Sequence, residues 1–425
     1  MRDDNGWFFP ALTARELRKQ LSELREKLLQ AKTLETKPNA HGIYAASASQ
    51  TTDSMTGYQN AWLRDNAYVA YSVWKCGDGE SALRTALGLG KFLETQAERM
   101  ERIVRKPARK ETVQERPHIR FNPETLGANK ESWSHAQNDA LGLTAWLRFR
   151  LANDEGHRLR NEEKELYGVL ADYFRAIQYW KDRDSGAWEE GRKVNSSSVG
   201  AVMAGLEEMR KYLRGGERIS GVTAKGLEEL LAKGERTLEE QLPLEAPPER
   251  EADSATLFLL YPLEQVKRAD WRHQIVSLVR ARLAGEHGIR RYVGDSYFCQ
   301  DYDQWFPPEV RSTNSSERME VRDAFLQPGC EAQWCLFDPL LSVIYGERYL
   351  AEPTRTEFLE VQLLHMNRAI RQIDGQGRCP ELYYKKDGAY VPNEHTPLAW
   401  TQANLALALQ QVEASAGARH TAVAD

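Results

Sequence analysis

Apolar residues recur at helical spacing along most of the chain. One stripe of a first helix is formed by four leucines, Leu17, Leu21, Leu24 and Leu28. Thr13 and Glu16 stand where a capping box would start this helix. The same period continues over 62–75, 81–102, 133–152, 162–180, 196–213, 222–242, 253–263, 269–284, 331–346, 354–373 and 397–413. Because no comparable series of alternating β-branched strands is present, the pattern predicts an all-α protein of about a dozen helices.

Several connections between these helices are long and rich in turn residues. They cover 36–61, 104–132, 181–195, 285–330 and 374–396. Loops of this length inside a compact domain are usually functional, and these combine Trp, Arg, Asp, Glu and Tyr with Gly and Asn. This composition suits a site for a carbohydrate or another polar ligand. Since 243–253 reads as an ordinary inter-helix loop, we predict one domain over 1–413, which includes helix 13–35, and a disordered tail over 414–425.

Composition and charge exclude several classes of protein. The 425 residues include 11 Trp, 17 Tyr and 12 Phe, more than disordered, collagenous or coiled-coil chains carry. The 57 basic and 62 acidic residues give a net charge of -5, so we expect neither nucleic acid nor an anionic membrane as a partner. The chain has no apolar run long enough for a transmembrane helix and no secretory signal at its start, which favours a cytoplasmic location.

The cysteines give no sign of a metal site. Cys76, Cys299, Cys330, Cys335 and Cys379 are scattered and lack a His or Cys pair at zinc spacing. We therefore expect buried free thiols, no metal and no cofactor. The sequence does not specify an oligomeric state.

Two adjacent carboxylates beside an indole are the first candidate for chemistry. Glu189 and Glu190 follow Trp188 in the turn 184–191. Desolvation beside an aromatic ring raises the pKa of a carboxyl towards the range of a general acid, and a neighbouring carboxylate raises it further. The simpler interpretation is a solvated loop with two ordinary glutamates. The run 195–198 (Asn-Ser-Ser-Ser) favours the functional interpretation, because it would cap the next helix and fix the far end of the loop.

A second carboxylate stands in the last long loop. Glu381 lies between Pro380 and two tyrosines, and Glu394 is the competing choice in the same loop. Glycoside hydrolysis needs two carboxyl groups, one to protonate the leaving oxygen and one to activate water or attack the sugar.

From about residue 42 to 410 the chain resembles the glucoamylase-type glycoside hydrolases of family 15 and their relatives, the regulatory α/β subunits of phosphorylase kinase. The segments 42–47 and 58–65 are similar to the family's first substrate loop, which implies that Arg64 and Asp65 hold the terminal glucose. The segments 121–124 and 132–139 resemble the second loop and place the sugar-contacting Trp at Trp133. The segment 188–200 resembles the general-acid loop, which implies Glu189 as the acid and Glu190 as its supporting neighbour.

Two further motifs follow in the family's order. The segment 290–297 is similar to the Arg-Tyr substrate loop, which implies a contact from Arg291. Residues 379–381 and 398–403 resemble the base loop and the helix after it, so the resemblance places the base at Glu381 and adds Trp400 to the site. The implied fold is an (α/α)6 barrel of twelve helices, and the implied reaction inverts the sugar anomer. Trp62 and Trp188, with Trp133, would supply apolar faces for the sugar.

Two functions from different classes follow. The first is an exo-acting hydrolase that releases glucose from the non-reducing ends of α-glucans or α-glucooligosaccharides. The second is a non-catalytic glucan-binding or regulatory protein akin to the kinase subunits. Retention of both glutamates favours the enzyme, whereas the long polar segment 298–330 and details near Trp334 favour the regulator. Nearby, His135 and His395 are expected to be structural, because no metal spacing accompanies them.

Overall fold

Helices make up most of the structure, as their sequence periodicity predicts. The computed structural model describes residues 14–47 and 56–422, so Thr13 of the predicted capping box lies outside the described residues. The helices are α1 (Ala14–Gln30), α2 (Leu63–Lys75), α3 (Gly79–Glu94), α4 (Ala97–Arg105), α5 (Asn138–Glu155), α6 (Asn161–Ile177), α7 (Ser196–Arg214), α8 (Ala224–Gln241), α9 (Thr256–Leu260), α10 (Ala269–Leu278), α11 (Tyr302–Trp305), α12 (Pro308–Arg311), α13 (Met319–Asp323), α14 (Phe337–Ala351), α15 (Thr356–Arg371) and α16 (Ala399–Ala422).

Six of these helices form a closed inner ring. The contacts run in the order α2, α5, α7, α9, α14 and α16, and α16 returns to α2. Outer helices pack against this ring: α3 on α2, α8 on α7, α10 on α9, α15 on α14 and α1 on α16, while α6 packs against α3 and α4. The contact of α16 with α2 therefore closes the inner ring, and α1, the first helix of the described chain, covers α16 from outside.

Burial follows from position in the ring. The inner helix α5 is buried on all faces, from Asn138 to Phe149 without interruption, as is typical of a helix surrounded by others. The outer helix α1 instead buries only its leucine stripe against α16. Where α5 and α7 cross, Gly142 lies so near the backbone that a Cβ there would approach the amide nitrogen of Val202 to 2.6 Å. A side chain at this position would push the two inner helices apart.

Several predicted boundaries differ from the structure. The predicted helix 81–102 is two helices, α3 and α4, interrupted at Gln96, whose side-chain oxygen accepts from the backbone N–H of His118. The predicted helix 133–152 begins only at Asn138, since Gln137 is extended. The last helix continues to Ala422 with Ala416 buried, which corrects the predicted end at 413 and the tail from 414.

Short strands brace the loops at one end of the ring. They are β1 (Ala61–Trp62), β2 (Arg120–Asn122), β3 (Gly127–Ala128), β4 (Gln333–Trp334), β5 (Leu382–Lys386) and β6 (Ala389–Pro392). They form two antiparallel sheets of three strands, in which Trp62 pairs with Arg120 and Trp334 pairs with Leu382. Each sheet thus ties a loop that precedes an inner helix to a loop distant in sequence.

The five cysteines are free thiols, as predicted, but their burial differs. Cys299, Cys335 and Cys379 are buried, Cys330 is half-buried, and Cys76 is exposed at the end of α2. Within residues 14–47 and 56–422, no helix is long and apolar enough to span a membrane.

Candidate active site

A cavity of about 780 Å³, counted to its open mouth, lies where the inner helices begin. Arg64 and Asp65 reach it from the first turn of α2, and Trp400 reaches it from the first turn of α16. Trp334 enters from the strand before α14, and Glu189 from the loop before α7. The fold therefore directs loops from several hairpins to one site.

The loop that carries Glu189 is fixed at both ends. Asp184 and Lys193 exchange backbone hydrogen bonds of 2.8 Å, which close the loop on itself. Asn195 was expected to cap α7, but its side chain donates instead to the Asp184 carboxylate at 2.8 Å, and Glu245 accepts from the backbone N–H of Ser197 at 3.1 Å. The predicted anchoring of the far end is thus provided by different partners.

Glu189 uses one carboxylate oxygen to contact the protein. Its Oε1 accepts from Trp62 Nε1 at 2.8 Å and from Gln137 Nε2 at 2.9 Å, and Arg64 lies 3.5 Å from the same atom. Among the described residues no hydrogen-bond partner meets Oε2. Since Glu189 lines the cavity, this second oxygen is the one available to a ligand.

Glu381 is surrounded by donors on both oxygens. Tyr58 donates its hydroxyl to Oε1 at 2.7 Å, Asn393 donates to Oε2 at 2.6 Å, and His395 Nδ1 lies 2.8 Å from Oε2. The rings of Tyr58 and His395 are stacked with centroids 3.4 Å apart. An ionised carboxylate accepts on both oxygens, so these contacts suit its charged form. His395 therefore has a positioning contact, in keeping with its predicted structural role.

Glu394, the competing choice for the second carboxylate, does not line the cavity. It accepts from Arg311 Nη1 at 2.8 Å. Glu381 is consequently the glutamate of this loop that faces the cavity together with Glu189.

Arg64 lies beside Glu189, and Asp65 is close enough to both Glu189 and Glu381 to feel their charge. Arg64 donates to Gln137 at 2.7 Å and lies 3.5 Å from Asp139. Burial raises the pKa of Asp65 to about 7; the Arg64 guanidinium opposes the rise, and Glu189 and Glu381 add to it. Asp65 is therefore a carboxyl that exchanges its proton near neutral pH.

Indole rings supply much of the cavity wall. The sequence-predicted Trp62, Trp133, Trp188 and Trp400 all line it. Trp188 donates Nε1 to Asp253 at 2.9 Å, and Trp400 stacks on Tyr68 at 4.8 Å between centroids. These contacts hold the rings in place, so their free faces are pre-positioned for an apolar surface of a ligand.

Glu190 is the sequence-predicted site residue that the structure places outside the cavity wall. It is 1% exposed and forms ion pairs with three arginines, Arg250, Arg291 and Arg322. Burial alone would raise the pKa of Glu190, but these arginines outweigh it and hold the pKa well below its ordinary value. The upward pKa shift that the sequence predicts for one of the two adjacent glutamates does not apply to Glu190, because its immediate neighbours are cations.

Arg291 lines the cavity as predicted, with its direction fixed by two acids. Its Nε donates to Asp295 at 2.6 Å, and its Nη2 donates to Glu190 at 2.8 Å. The guanidinium lies about 5 Å from the ring centroids of Trp188, Trp334 and Tyr297. Among the described residues, Nη1 has no hydrogen-bond partner and is free to bind a ligand oxygen.

Sequence reasoning missed several wall residues. These are Tyr58, Tyr297, Trp334, Arg322 and the segment 312–315. Tyr58 and Tyr297 stand inside the motif segments 58–65 and 290–297, so position in a motif could have found them. The segment 312–315 had no such signal, since small polar residues in a long loop are typical of any surface.

Two other expectations from the sequence were a structural role for His135 and the absence of a metal site. His135 is buried and stacks on His118 at 3.8 Å between centroids, and burial lowers its pKa to about 2. In the described part of the chain, no group of three or more His, Cys, Asp or Glu side chains is placed to hold a metal ion.

The family model for glycosyl hydrolases family 15 matches residues 20–280. The chain belongs to glycosyl hydrolase family 15. Solved structures agree with this family fold: a wild-type glycosidase has a TM-score of 0.68 at 18% identity and covers 95% of this chain and 99% of its own. The glucoamylase of Saccharomycopsis fibuligera has a TM-score of 0.61 at 14% identity and covers 98% of both chains. The predicted (α/α)6 barrel is confirmed.

Curated relatives of this family 15 protein are named as regulatory subunits of phosphorylase b kinase. A probable phosphorylase b kinase regulatory subunit alpha of Caenorhabditis elegans is 25% identical over 386 residues, which cover 81% of this chain and 30% of the relative. The liver isoform of the same subunit from Oryctolagus cuniculus is 26% identical over 396 residues, 84% of this chain and 29% of the relative. The chain thus spans about a third of the length of these relatives, and the predicted resemblance to both groups is confirmed.

Proposed function

We propose that the protein is an inverting, exo-acting glycoside hydrolase that releases glucose from the non-reducing ends of α-glucans or α-glucooligosaccharides. Glu189 is the general acid and Glu381 the general base. The observation that carries the proposal is that two carboxylates with different surroundings line one cavity whose wall is rich in indole rings.

The contacts of Glu189 support its role as the acid. Its Oε1 accepts from Trp62 and Gln137, which leaves Oε2, the oxygen without a partner among the described residues, as the atom that would carry and donate the proton. A ligand seated against the indoles would receive that proton on its glycosidic oxygen, and the aglycone would leave as an alcohol.

The contacts of Glu381 support its role as the base. Donors from Tyr58, Asn393 and His395 favour the ionised carboxylate. In the proposed step Glu381 takes a proton from water, which attacks the anomeric carbon on the face opposite to Glu189 and gives the β-anomer. The hydroxyls of Tyr58 and Tyr297, 3.1 Å apart, provide polar groups next to Glu381 for that water.

Substrate positioning is assigned to groups fixed before a sugar arrives. Arg64, Asp65 and Arg291 hold hydroxyls of the terminal glucose by charge-assisted hydrogen bonds. Trp62, Trp133, Trp188 and Trp400 provide apolar faces for the ring. Arg64 and Trp400, buried residues of the cavity wall at the first turns of α2 and α16, form its floor, and a buried floor suits a chain end better than a continuous chain.

Substitution of either glutamate tests the assignment. The purified protein is incubated with malto- and isomaltooligosaccharides, and released glucose and its anomer are followed by NMR. We expect wild type to release β-glucose and Glu189→Gln and Glu381→Gln each to lose at least a hundredfold in kcat, because each removes one proton-transfer group. Glu394→Gln is the matched control, since Glu394 shares the loop of Glu381 but does not line the cavity. Release of α-glucose, or a larger loss in Glu394→Gln than in Glu381→Gln, would contradict the proposal.

The second candidate is a non-catalytic glucan-binding or regulatory protein. It is favoured by the names of the curated relatives, which are regulatory subunits of a kinase. Saturable glucan binding without turnover in the same NMR experiment would establish this candidate and reject the hydrolase.

A further inference from the structure

The segment 311–322 contributes residues to the cavity wall and is hydrogen-bonded to both loops that carry the proposed catalytic glutamates. We call it the strap. It lies inside the long segment 298–330, and it consists of the end of α12, a short polar turn and the start of α13. Its two ends are attached to opposite sides of the site.

Arg311 attaches the first end to the base loop. Its Nη1 donates to Glu394 at 2.8 Å, next in sequence to the His395 that contacts Glu381. Its Nε donates to the carbonyl oxygen of Phe306 at 2.6 Å, which fixes the guanidinium against the chain just before the strap.

Arg322 attaches the second end to the acid loop. The guanidinium is 8% exposed, donates to Glu190 and donates through Nε to Ser296 at 2.9 Å. The strap therefore connects Glu190, the neighbour of Glu189, to Glu394 in the loop that carries Glu381.

Between these anchors, residues 312–315 line the cavity. Thr313 is exposed, whereas Arg64 and Trp400 on the cavity floor are buried. The strap consequently forms the solvent-side rim. We expect a saccharide whose terminal unit contacts Arg64 and Trp400 to extend its second unit towards these more exposed wall residues.

Asn314 is the strap residue with a free, directed donor. Its Oδ1 accepts from the backbone N–H of Ser316 at 3.0 Å and from the Ser316 hydroxyl at 2.7 Å. These contacts fix the orientation of the amide and leave Nδ2 without a partner among the described residues. The neighbouring hydroxyl of Thr313 instead donates to the carbonyl oxygen of Val310 at 2.9 Å.

We infer that Asn314 recognises the second sugar unit from the non-reducing end, by donating Nδ2 to one of its hydroxyls. This inference rests on the proposed function, because it takes an α-glucan chain end as the ligand. It assigns a specificity-determining residue to the leaving-group side of the site, and it gives the strap a function in selecting oligosaccharides over free glucose.

Binding to the Glu381→Gln protein isolates this contact from turnover. Glucose, maltose, isomaltose and maltotriose are titrated by calorimetry into Glu381→Gln alone and combined with Asn314→Ala. We expect Asn314→Ala to weaken binding of at least one disaccharide, and of maltotriose, by roughly three- to tenfold, the effect of one lost hydrogen bond, while the Kd for glucose is unchanged. Glu317→Ala, on the strap but exposed and outside the cavity wall, is the matched control and should bind every sugar as its parent does.

The outcomes separate this inference from the proposed function. Unchanged disaccharide binding in Asn314→Ala, or an equal loss for glucose and disaccharides, overturns the role of Asn314 and leaves the proposed function standing. If Glu381→Gln binds none of the four sugars, the glucan site itself is rejected and the inference with it. A thermal melt of each variant verifies that the fold is retained.

Discussion

Adjacent glutamates with opposite surroundings are the residue-scale feature on which the site depends. Glu189 adopts a left-handed backbone conformation, with φ of 59°, that residues with a side chain rarely adopt. Glu189 lines the cavity while Glu190 is buried among Arg250, Arg291 and Arg322. The strained residue is thus located where two neighbouring side chains must serve different purposes.

Neutralising Glu190 should destabilise the fold. In Glu190→Gln three buried or nearly buried arginines lose a shared partner, and we expect a loss of about 3 kcal/mol in the free energy of unfolding, measured by urea denaturation. Glu228→Gln is the control, because it removes only an exposed ion pair with Arg214 and should change stability by less than about 1 kcal/mol. A Glu190→Gln protein as stable as wild type would mean that the arginines do not depend on this carboxylate.

The types of residues and their order in the sequence predicted most of the site. The surroundings of each side chain could not be predicted in the same way. Nine of the ten sequence-predicted residues line the cavity, and most of them were placed by the resemblance to family 15, not by loop composition. Glu190 could not be separated from Glu189, since its arginine partners are 60, 101 and 132 positions away in sequence. Asn314 could not be predicted from the sequence either, because its proposed role depends on which residues of the strap face the cavity.

At the scale of elements, helix periodicity predicted which segments are helical better than where they end. The inner helix α5 begins at Asn138 and not at Trp133. The extended chain before it places Trp133 on the cavity wall and Gln137 against Glu189 and Arg64. Within the predicted loop 298–330 three short helices form, and they hold the strap. Such short helices are held by contacts with distant parts of the chain. Their own sequences have little hydrophobic periodicity from which they could be predicted.

The crossing of α5 and α7 provides a test at this scale. Gly142→Ala places a methyl group against the backbone of Val202, so we expect a loss of about 2 kcal/mol in stability. Gly90→Ala is the matched change, because Gly90 lies inside α3 with no packing neighbour within 4 Å of the place that an alanine methyl group would take, and we expect a gain of roughly 0.5–1 kcal/mol from helix propensity. Urea denaturation of both variants measures the difference, and equal effects would reject a steric role for Gly142.

At the scale of the whole molecule, the barrel is completed by its terminal helices. The helix count of the sequence agrees with six inner and six outer helices within the described chain, while the remaining short helices, α4 and α11–α13, were not separately predicted. The pairing of α1 with α16 has no local signal, because a leucine stripe indicates that a helix has a partner but does not identify it.

A leucine substitution on each face of α1 tests this closure. Leu21 is 1% exposed in the stripe that packs on α16, and Leu29 is 60% exposed. Leu21→Ala should reduce the free energy of unfolding by about 2–5 kcal/mol through lost burial and a cavity. Leu29→Ala should change it by less than about 0.5 kcal/mol. If calorimetric melting shows no difference between the two variants, α1 is not an integral part of the barrel.

The ion pair that joins these terminal helices can form only late in the synthesis of the chain. Arg25 on α1 donates to the carboxylate of Glu413 on α16 at 2.8 and 2.9 Å, across 388 positions of sequence. During synthesis the ribosome must deliver nearly all of the described chain before this contact exists, and contacts so distant in sequence are among the slowest to form. Until then the leucine stripe of the nascent α1 has no native partner, so it is a surface that chaperones can bind throughout translation.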